Sequence, residues 1–224
     1  MGPRKPVITI DGPAGAGKST VARRLAERLG YTLVPTGTMY RAVAFGITRD
    51  RVPQREGPEL RNYLEPLDVS VVGGRVYLNR EDVTSAITTQ AIAEATSYVT
   101  TLAAVREKVT PLQRRAAASG GVVLEGRDTG TVVCPDAEVK FYLTASLEAR
   151  ARRRHAELAA EGVLVPLDRV REEVSARDVQ DETRELAPLK RAPGAIELDT
   201  SDLTVDEVVE RMLAAIETGC STRS

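Results

Sequence analysis

Short apolar runs alternate with amphipathic segments along most of the chain. Residues 6–11 are largely β-branched, which is typical of a strand that is buried on both faces of a parallel sheet. Similar short runs occupy residues 31–35, 122–124, 139–143 and 195–199. Because helical patterns separate these runs, the sequence predicts an α/β fold with five strands.

Helical periodicity fills most of the intervals between the strands. Val21, Leu25 and Leu29 recur at every fourth position among charged residues, and Gly30 can end that helix. Residues 204–218 form a closing amphipathic segment. Its inward side is predicted to consist of Val205, Val208, Val209, Met212 and Ile216.

Two further helices have irregular boundaries. The segment 36–41 is expected to be a loop that enters a helix through Thr38. Residues 88–119 are helical in pattern, with a break near Thr100 or Thr101.

The hydrophobic period changes from residue 67 onward. Residues 68–72 and 75–79 alternate in polarity around Gly73 and Gly74, which predicts a two-residue β-hairpin. A hairpin is unexpected within a parallel pattern, so residues 66–85 are interpreted as a small insertion. The alternative is an edge hairpin with no function of its own. The rest of the single predicted domain is the core, residues 1–65 and 86–224.

A long pair of arginine-rich helices lies between the last two strands. Glu161 and Gly162 break it, and the pattern predicts a lid over residues 150–186. A solvated surface with ion pairs is the alternative interpretation. Among the arginines of the first helix, Arg153 and Arg154 are expected to face the ligand that such a lid would cover, rather than Arg150.

Composition excludes several classes of protein. The 224 residues carry a formal net charge of -1, which disfavours sequence-independent binding of nucleic acid. The sequence contains no run of about 20 apolar residues, so no membrane span is predicted. Cys134 and Cys220 are far apart, so they are expected to be reduced thiols in a cytoplasmic protein. The sequence shows no obvious exposed apolar stripe, so a monomer is expected. His155 is the sole histidine and the cysteines are scattered, so the sequence offers no plausible set of zinc ligands.

A glycine-rich segment follows the first strand and fits the pattern G-x-x-x-x-G-K-[ST]. In such a loop, backbone N–H groups and a helix N-terminus surround a polyphosphate. Lys18 can reach the β- and γ-phosphates, and the Ser19 hydroxyl can ligate Mg²⁺. A flexible turn is the alternative. The residues predicted to hold the triphosphate are Gly12, Pro13, Ala14, Gly15, Ala16, Gly17, Lys18, Ser19 and Thr20.

The third strand delivers charged residues, Glu-Gly-Arg-Asp at 125–128, to its carboxyl end. Ligands bind at that end of the strands in open α/β sheets. Arginine binds phosphate bidentately, so these residues and the lid arginines suit phosphoryl transfer. An acceptor that is itself a phosphate needs no histidine as general base.

Four segments together resemble the bacterial cytidylate kinases. They are Gly-Pro-Ala-Gly-Ala-Gly-Lys-Ser-Thr at 12–20, Thr-Gly-Thr-Met-Tyr-Arg at 36–41, Glu-Gly-Arg-Asp-Thr-Gly-Thr-Val-Val at 125–133 and Arg-Asp-Val-Gln-Asp-Glu-Thr-Arg at 177–184. The resemblance implies a five-stranded parallel P-loop kinase core with a β insertion and a helical lid. It also implies ATP with Mg²⁺ as donor, and CMP and dCMP as acceptors.

The resemblance assigns roles to individual residues. It implies catalytic roles for Lys18, Arg127, Arg153 and Arg184, and a nucleotide contact for Arg154. It implies an acceptor site made of Thr36, Tyr40, Arg41, Ser97, Arg106, Arg127, Asp128, Arg177, Asp181 and Arg184. Within that site Arg41, Arg127 and Arg184 would hold the phosphate, Arg177 and Asp181 the sugar, and Ser97, Arg106 and Asp128 the cytosine.

Two residues depart from the family pattern, which often has serine and aspartate where this chain has Thr36 and Glu125. The role of Glu125 is therefore left open. Alternative functions are a kinase of UMP, dTMP or shikimate, a nucleotide-binding switch, and a nucleic-acid-binding protein. The absence of an N/T-K-x-D guanine signature counts against the switch.

Overall fold

The computed structural model describes residues 4–221 and the side chains through residue 218. The strands are β1 (Val7–Asp11), β2 (Thr32–Pro35), β3 (Val69–Val72), β4 (Arg75–Leu78), β5 (Glu81–Asp82), β6 (Val122–Gly126), β7 (Val139–Thr144) and β8 (Ile196–Asp199). The helices are α1 (Lys18–Leu29), α2 (Thr36–Arg49), α3 (Pro58–Leu64), α4 (Gln90–Val99), α5 (Ala103–Ala117), α6 (Leu147–Ala160), α7 (Leu167–Thr183) and α8 (Val205–Ser221). Cys220 lies outside the described side chains.

The chain divides into two compact units. One unit consists of residues 34–119, and the other consists of the segments on either side of them. The predicted hairpin falls within the first of these units, which we call the inner unit. The flanking segments form the outer unit, which contains the glycine-rich loop.

A five-stranded sheet in the order β2-β6-β1-β7-β8 is the framework of the outer unit. Strand β1 pairs in parallel with β6 on one side and with β7 on the other. The register places Asp11 at the end of β1 opposite Gly126 at the end of β6. The predicted α/β fold with a parallel five-stranded sheet is confirmed, and its central strand runs directly into the glycine-rich loop.

The core of the outer unit lies where α1 and α8 pack on this sheet. Ile8, Ile10 and Phe141 of the sheet are at most 1% exposed, and they contact a cluster that includes Leu25 and Met212. The predicted inward positions Val208, Val209, Met212 and Ile216 are all buried. The prediction is wrong for Val205, which is 38% exposed because it is the first residue of α8 and projects beyond the packed turns.

The inner unit contains the predicted hairpin. Strands β3 and β4 pair in antiparallel fashion, with Val72 opposite Arg75 across Gly73 and Gly74. Both glycines have positive φ, 57° and 79°, as a two-residue type I′ turn requires. A third short strand, β5, pairs with β4 and was not predicted, because its two residues, Glu and Asp, carry no strand pattern.

Helix boundaries in the inner unit agree with the predictions at one point and differ at another. The predicted break near Thr100 is present, since α4 ends at Val99 and the extended backbone at Leu102 precedes α5. The second helix, however, begins at Thr36 rather than Thr38, because Pro35 already serves as its extended N-cap residue. Of the helices within residues 4–221, none is sufficiently long and apolar to span a membrane.

Phe141 offers a test of the core of the outer unit. We expect Phe141→Ala to lower the free energy of unfolding by about 3–5 kcal/mol, because it removes a 1% exposed ring and leaves a cavity. Urea denaturation would measure the change. The control Val205→Ala truncates the exposed first residue of α8 and should change stability by about 0.5 kcal/mol or less. Equal effects of the two substitutions would contradict this packing.

Candidate active site

The loop between β1 and α1 depends on three glycines. Gly12, Gly15 and Gly17 have φ of 148°, 75° and 83°, which L side chains rarely adopt. A Cβ atom at Gly12 would lie 2.1 Å from the carbonyl oxygen of Leu143 in β7. The loop therefore packs directly against the sheet, and it leads into the N-terminus of α1, whose free N–H groups favour an anion.

Lys18 is the first residue of α1 and is only 5% exposed. Its ammonium Nζ donates a hydrogen bond to the carbonyl oxygen of Pro13 at 2.6 Å, across the loop. Burial, and then the nearby charge of Arg127, lower the pKa of Lys18 well below its usual range. A group of anionic phosphates would relieve both effects, so the lysine is suited to a polyphosphate ligand.

Ser19 and Thr20 follow Lys18 on the exposed side of the first turn of α1. Ser19 is therefore exposed next to the loop that contains Gly12, Gly15 and Gly17. Mg²⁺ takes oxygen ligands, and in phosphate loops it binds phosphate oxygens together with the hydroxyl that follows the lysine. The residues present thus fit a magnesium nucleotide.

Asp11, at the end of β1, organises the segment after β6. Its Oδ1 accepts hydrogen bonds from the N–H and the hydroxyl of Thr129, both at 2.8 Å, and its Oδ2 accepts one from the N–H of Gly130 at 2.7 Å. Burial raises the pKa of this carboxyl above its usual value. These hydrogen bonds hold a π-helical turn, Thr129–Val133. Gly130 packs closely against β1, since a Cβ atom there would lie 2.9 Å from the Thr9 hydroxyl.

This turn starts directly after two predicted acceptor residues, Arg127 and Asp128. Nε of Arg127 donates to Oδ2 of Asp181 at 2.8 Å, and both side chains are less than one-fifth exposed. Arg184 lies 3.9 Å from carboxylate oxygens of both Asp128 and Asp181. The structure thus brings four sequence-predicted residues from distant segments into one alternating cluster of charges, and Arg127 is close enough to Lys18 to lower its pKa.

The arginines of α6 have three different environments. Arg150 is buried and donates to the carbonyl oxygen of Ala14 in the loop at 3.2 Å. Arg153 donates to the carbonyl oxygen of Gly15 at 3.4 Å. Arg154 forms an ion pair with Glu157 of its own helix at 3.2 Å.

Thr200 supports the loop from the opposite side. Its hydroxyl lies 3.2 Å from the carbonyl oxygen of Ala16 and 3.0 Å from that of Thr144, and it accepts from Nη1 of Arg153 at 3.1 Å. Nη2 of Arg153 also donates to the backbone carbonyl of Thr200. Arg153 and Thr200 together hold the loop carbonyls of Gly15 and Ala16.

Of the remaining predicted acceptor residues, Arg177 lies on α7 in the outer unit. The other five belong to the inner unit. The Arg106 guanidinium lies over the Tyr40 ring, 5.6 Å from its centroid, and donates to the carbonyl oxygen of Thr100 at 3.3 Å. Arg41 donates to the carbonyl oxygen of Ile87 at 3.0 Å, and Ser97 is half-buried on α4. Thr36, which opens α2, accepts a hydrogen bond from the amide of Gln113 at 3.4 Å through its carbonyl oxygen.

Sequence reasoning missed Asp11, Thr200 and Asp178, the partner of Arg150. Asp11 had a usable signal, since a carboxylate directly after a buried strand lies at the ligand-binding edge of the sheet. Asp178 lies within the segment 177–184 that carries the family resemblance, but its pairing with Arg150 is fixed by packing. Thr200 had no signal, because its side-chain partners are more than 40 residues away.

Comparison with known proteins gives a consistent result. The family model described as cytidylate kinase matches residues 8–218. A cytidylate kinase of Carboxydothermus hydrogenoformans is 47% identical and covers 93% of this chain and 96% of its own. One of Caldanaerobacter subterraneus subsp. tengcongensis is also 47% identical, with 93% of each chain covered. One of Geobacter sulfurreducens is 46% identical, covering 94% of this chain and 92% of its own.

These matches run through both units, from the first strand to the last helix. They include the glycine-rich loop, the charged segment after β6 and the arginine-rich helices, which the structure joins around Lys18. The chain therefore belongs to the cytidylate kinase family.

Proposed function

We propose that this protein transfers the γ-phosphoryl group of ATP to CMP and dCMP, giving ADP with CDP or dCDP. The observation that supports this most directly is the cluster of Arg127, Arg184, Asp128 and Asp181 beside the loop that carries Lys18. Phosphoryl transfer needs positive groups around both the donor phosphates and the acceptor phosphate. This arrangement supplies such groups within one unit.

The donor would occupy the loop from Gly12 to Thr20. Loop amides and the N-terminus of α1 would bind the phosphates, Lys18 would contact the β- and γ-phosphates, and Arg153 and Arg154 would contact the nucleotide. Mg²⁺, held by the Ser19 hydroxyl, would neutralise charge on the phosphates of the donor.

The acceptor phosphate would bind Arg127, Arg184 and Arg41. In the structure Arg127 and Arg184 are paired with Asp181, so a phosphate would compete with this carboxylate for the two guanidinium groups. Asp181 would then be released to accept hydrogen bonds from a sugar hydroxyl, together with Arg177. Tyr40 and Thr36 complete the proposed acceptor residues.

The cytosine base would be recognised by protein groups that complement its own hydrogen-bond donors and acceptors. The Asp128 carboxylate can accept from the exocyclic amine of cytosine, and Arg106 and Ser97 can donate to its O2 and N3. Uracil has a carbonyl in place of the amine and an N–H at N3. It would therefore leave these groups mismatched, which costs about 1–3 kcal/mol for each buried group.

An oxygen of the acceptor phosphate would attack the γ-phosphorus as the bond to the leaving ADP breaks. This oxygen is already ionised near neutral pH, so no side chain has to remove a proton from it. Lys18, Arg127 and Arg184 would stabilise the charge that develops on the transferred group. The monomeric state and the cytoplasmic location stay predictions from the sequence.

The function is tested by ADP release with ATP and Mg²⁺ across CMP, dCMP, UMP, dTMP, AMP, GMP and shikimate. We expect a strong preference for CMP and dCMP. Lys18→Met should lower kcat with CMP by roughly 10² to 10³, because it removes a buried charge from the transferred phosphoryl group. The exposed Lys190→Met is the matched control and should retain full turnover. Near-normal turnover of Lys18→Met would contradict the mechanism.

Asp128→Ala tests the recognition of cytosine. Loss of an acceptor for the exocyclic amine should weaken binding of the CMP transition state by about 1–3 kcal/mol. This corresponds to a fall in kcat/KM for CMP of roughly 5- to 150-fold, and the fall for UMP should be smaller. Steady-state kinetics with both acceptors measure the ratio. Asp168→Ala, an exposed aspartate of α7, serves as the control. A proportional loss for CMP and UMP would remove Asp128 from the base-binding residues.

The lowered pKa of Lys18 makes donor binding depend on pH. The free protein disfavours the charged ammonium, and anionic phosphates favour it, so binding should raise the pKa of Lys18 and take up a proton. Uptake is expected between the lowered pKa and the pKa in the complex, and absent below the former. Titration calorimetry with ATP over a series of pH values, in two buffers of different ionisation enthalpy at each pH, measures it. Equal uptake by Lys18→Met would exclude this lysine as its source.

A further inference from the structure

Arg150 of α6 makes contacts that the proposed roles leave unexplained. Its side chain is 8% exposed, and Nη1 lies 2.6 Å from Oδ2 of Asp178 in α7. Nη1 also donates to the carbonyl oxygen of Ala14, and Nε donates to that of Ala145 at 2.9 Å. Two of the three guanidinium nitrogens are thus directed at three protein segments, which distinguishes Arg150 from a solvated surface charge.

The loop side of this contact is tightly packed. A Cβ atom at Gly15 would lie 3.0 Å from Cβ of Arg150 and 3.2 Å from its carbonyl oxygen. Protein interiors are close-packed, so the loop cannot shift at Gly15 without displacing this part of α6. The position of Arg150 is therefore coupled to the position of the loop that would hold the donor.

The α7 side of the contact leads to the acceptor residues. Oδ1 of Asp178 is buried and has no hydrogen-bond partner within the described part of the chain, so the carboxylate is directed at Arg150 through Oδ2. Asp181 follows three residues later, on the same side of the helix, and pairs with Arg127. One short stretch of α7 thus contacts both the donor loop, through Arg150, and the proposed phosphate-binding Arg127.

Elsewhere α6 and α7 are joined without this pair. Leu158, Val170 and Val174 form an apolar cluster between the two helices. This cluster involves the first half of α7, whereas Asp178 lies in the second half. Neutralising Asp178 should therefore leave the helices associated and change only how the second half of α7 is held.

We propose that Arg150 is a positioning residue that acts through Asp178: it aligns the second half of α7 with the phosphate loop and thereby sets the affinity for the acceptor. The inference rests on the proposed function, since the acceptor is the proposed CMP. A chain of contacts is not itself a measure of coupling, so a double-mutant cycle is required.

The cycle compares Asp178→Asn, Arg150→Met and the double variant by steady-state kinetics. Asp178→Asn should raise KM for CMP roughly tenfold and change kcat and KM for ATP by about twofold or less. Arg150→Met also loses the contact with Ala14 and should raise both KM values. Because the two residues act as one pair, the double variant should have the same KM for CMP as Arg150→Met.

Glu172→Gln is the matched control on α7. Glu172 forms an exposed ion pair with Arg169, in which the side chains are 68% and 70% exposed. Its neutralisation removes one carboxylate charge from the same helix and should leave all three kinetic constants unchanged. If Asp178→Asn does not fold, Asp178→Glu replaces it. This variant keeps the charge but lengthens the side chain by a methylene, and should likewise raise KM for CMP while preserving KM for ATP.

Two results would overturn the proposal. One is an equal rise of the KM values for CMP and ATP in Asp178→Asn, which indicates general loosening of the fold. The other is an additive double variant, which indicates that the two residues act separately. Failure of the proposed function is distinct from both, because the wild-type protein would then not phosphorylate CMP in the first place.

Discussion

The need to neutralise buried positive charge determines the arrangement of the outer unit. Lys18, Arg127 and Arg150 are all largely shielded from water, and an isolated buried cation is unfavourable. Asp181 pairs with Arg127, and Asp178 pairs with Arg150, while Lys18 donates to a loop carbonyl. The contacts that make the two guanidinium groups tolerable in the folded chain also hold them beside the loop that would bind phosphates.

The fold could be predicted from sequence wherever the signal was local. The β-branched runs, the glycine-rich loop and the pair Gly73-Gly74 gave the strands, the phosphate loop and the hairpin, because each depends on neighbouring residues. The π-helical turn after β6 could not be predicted, since it depends on three hydrogen bonds to Asp11, more than 100 residues earlier. The start of α2 at Thr36 and the exposure of Val205 are end effects that periodicity does not resolve.

The candidate site was predictable by residue type but not by environment. The motifs identified Arg127, Asp128 and Arg184, and the structure brings them together within the outer unit. Sequence alone favoured Arg153 and Arg154 as nucleotide contacts. It gave no sign that Arg150 would pack on Gly15, because that contact depends on where the loop crosses α6. Composition can therefore identify a group of arginines, whereas three-dimensional packing divides them into structural and ligand-binding members.

The tip of the β3–β4 hairpin has a practical consequence for experiments on the inner unit. A Cβ atom at Gly73 or Gly74 would meet no described atom within 4 Å, yet both residues have positive φ and would be strained by a side chain. Val72, the preceding residue, is 64% exposed and lies in a strand, where any L residue is accommodated. A fluorophore or spin label is therefore best attached at Val72, where it reports on this unit without disturbing the turn.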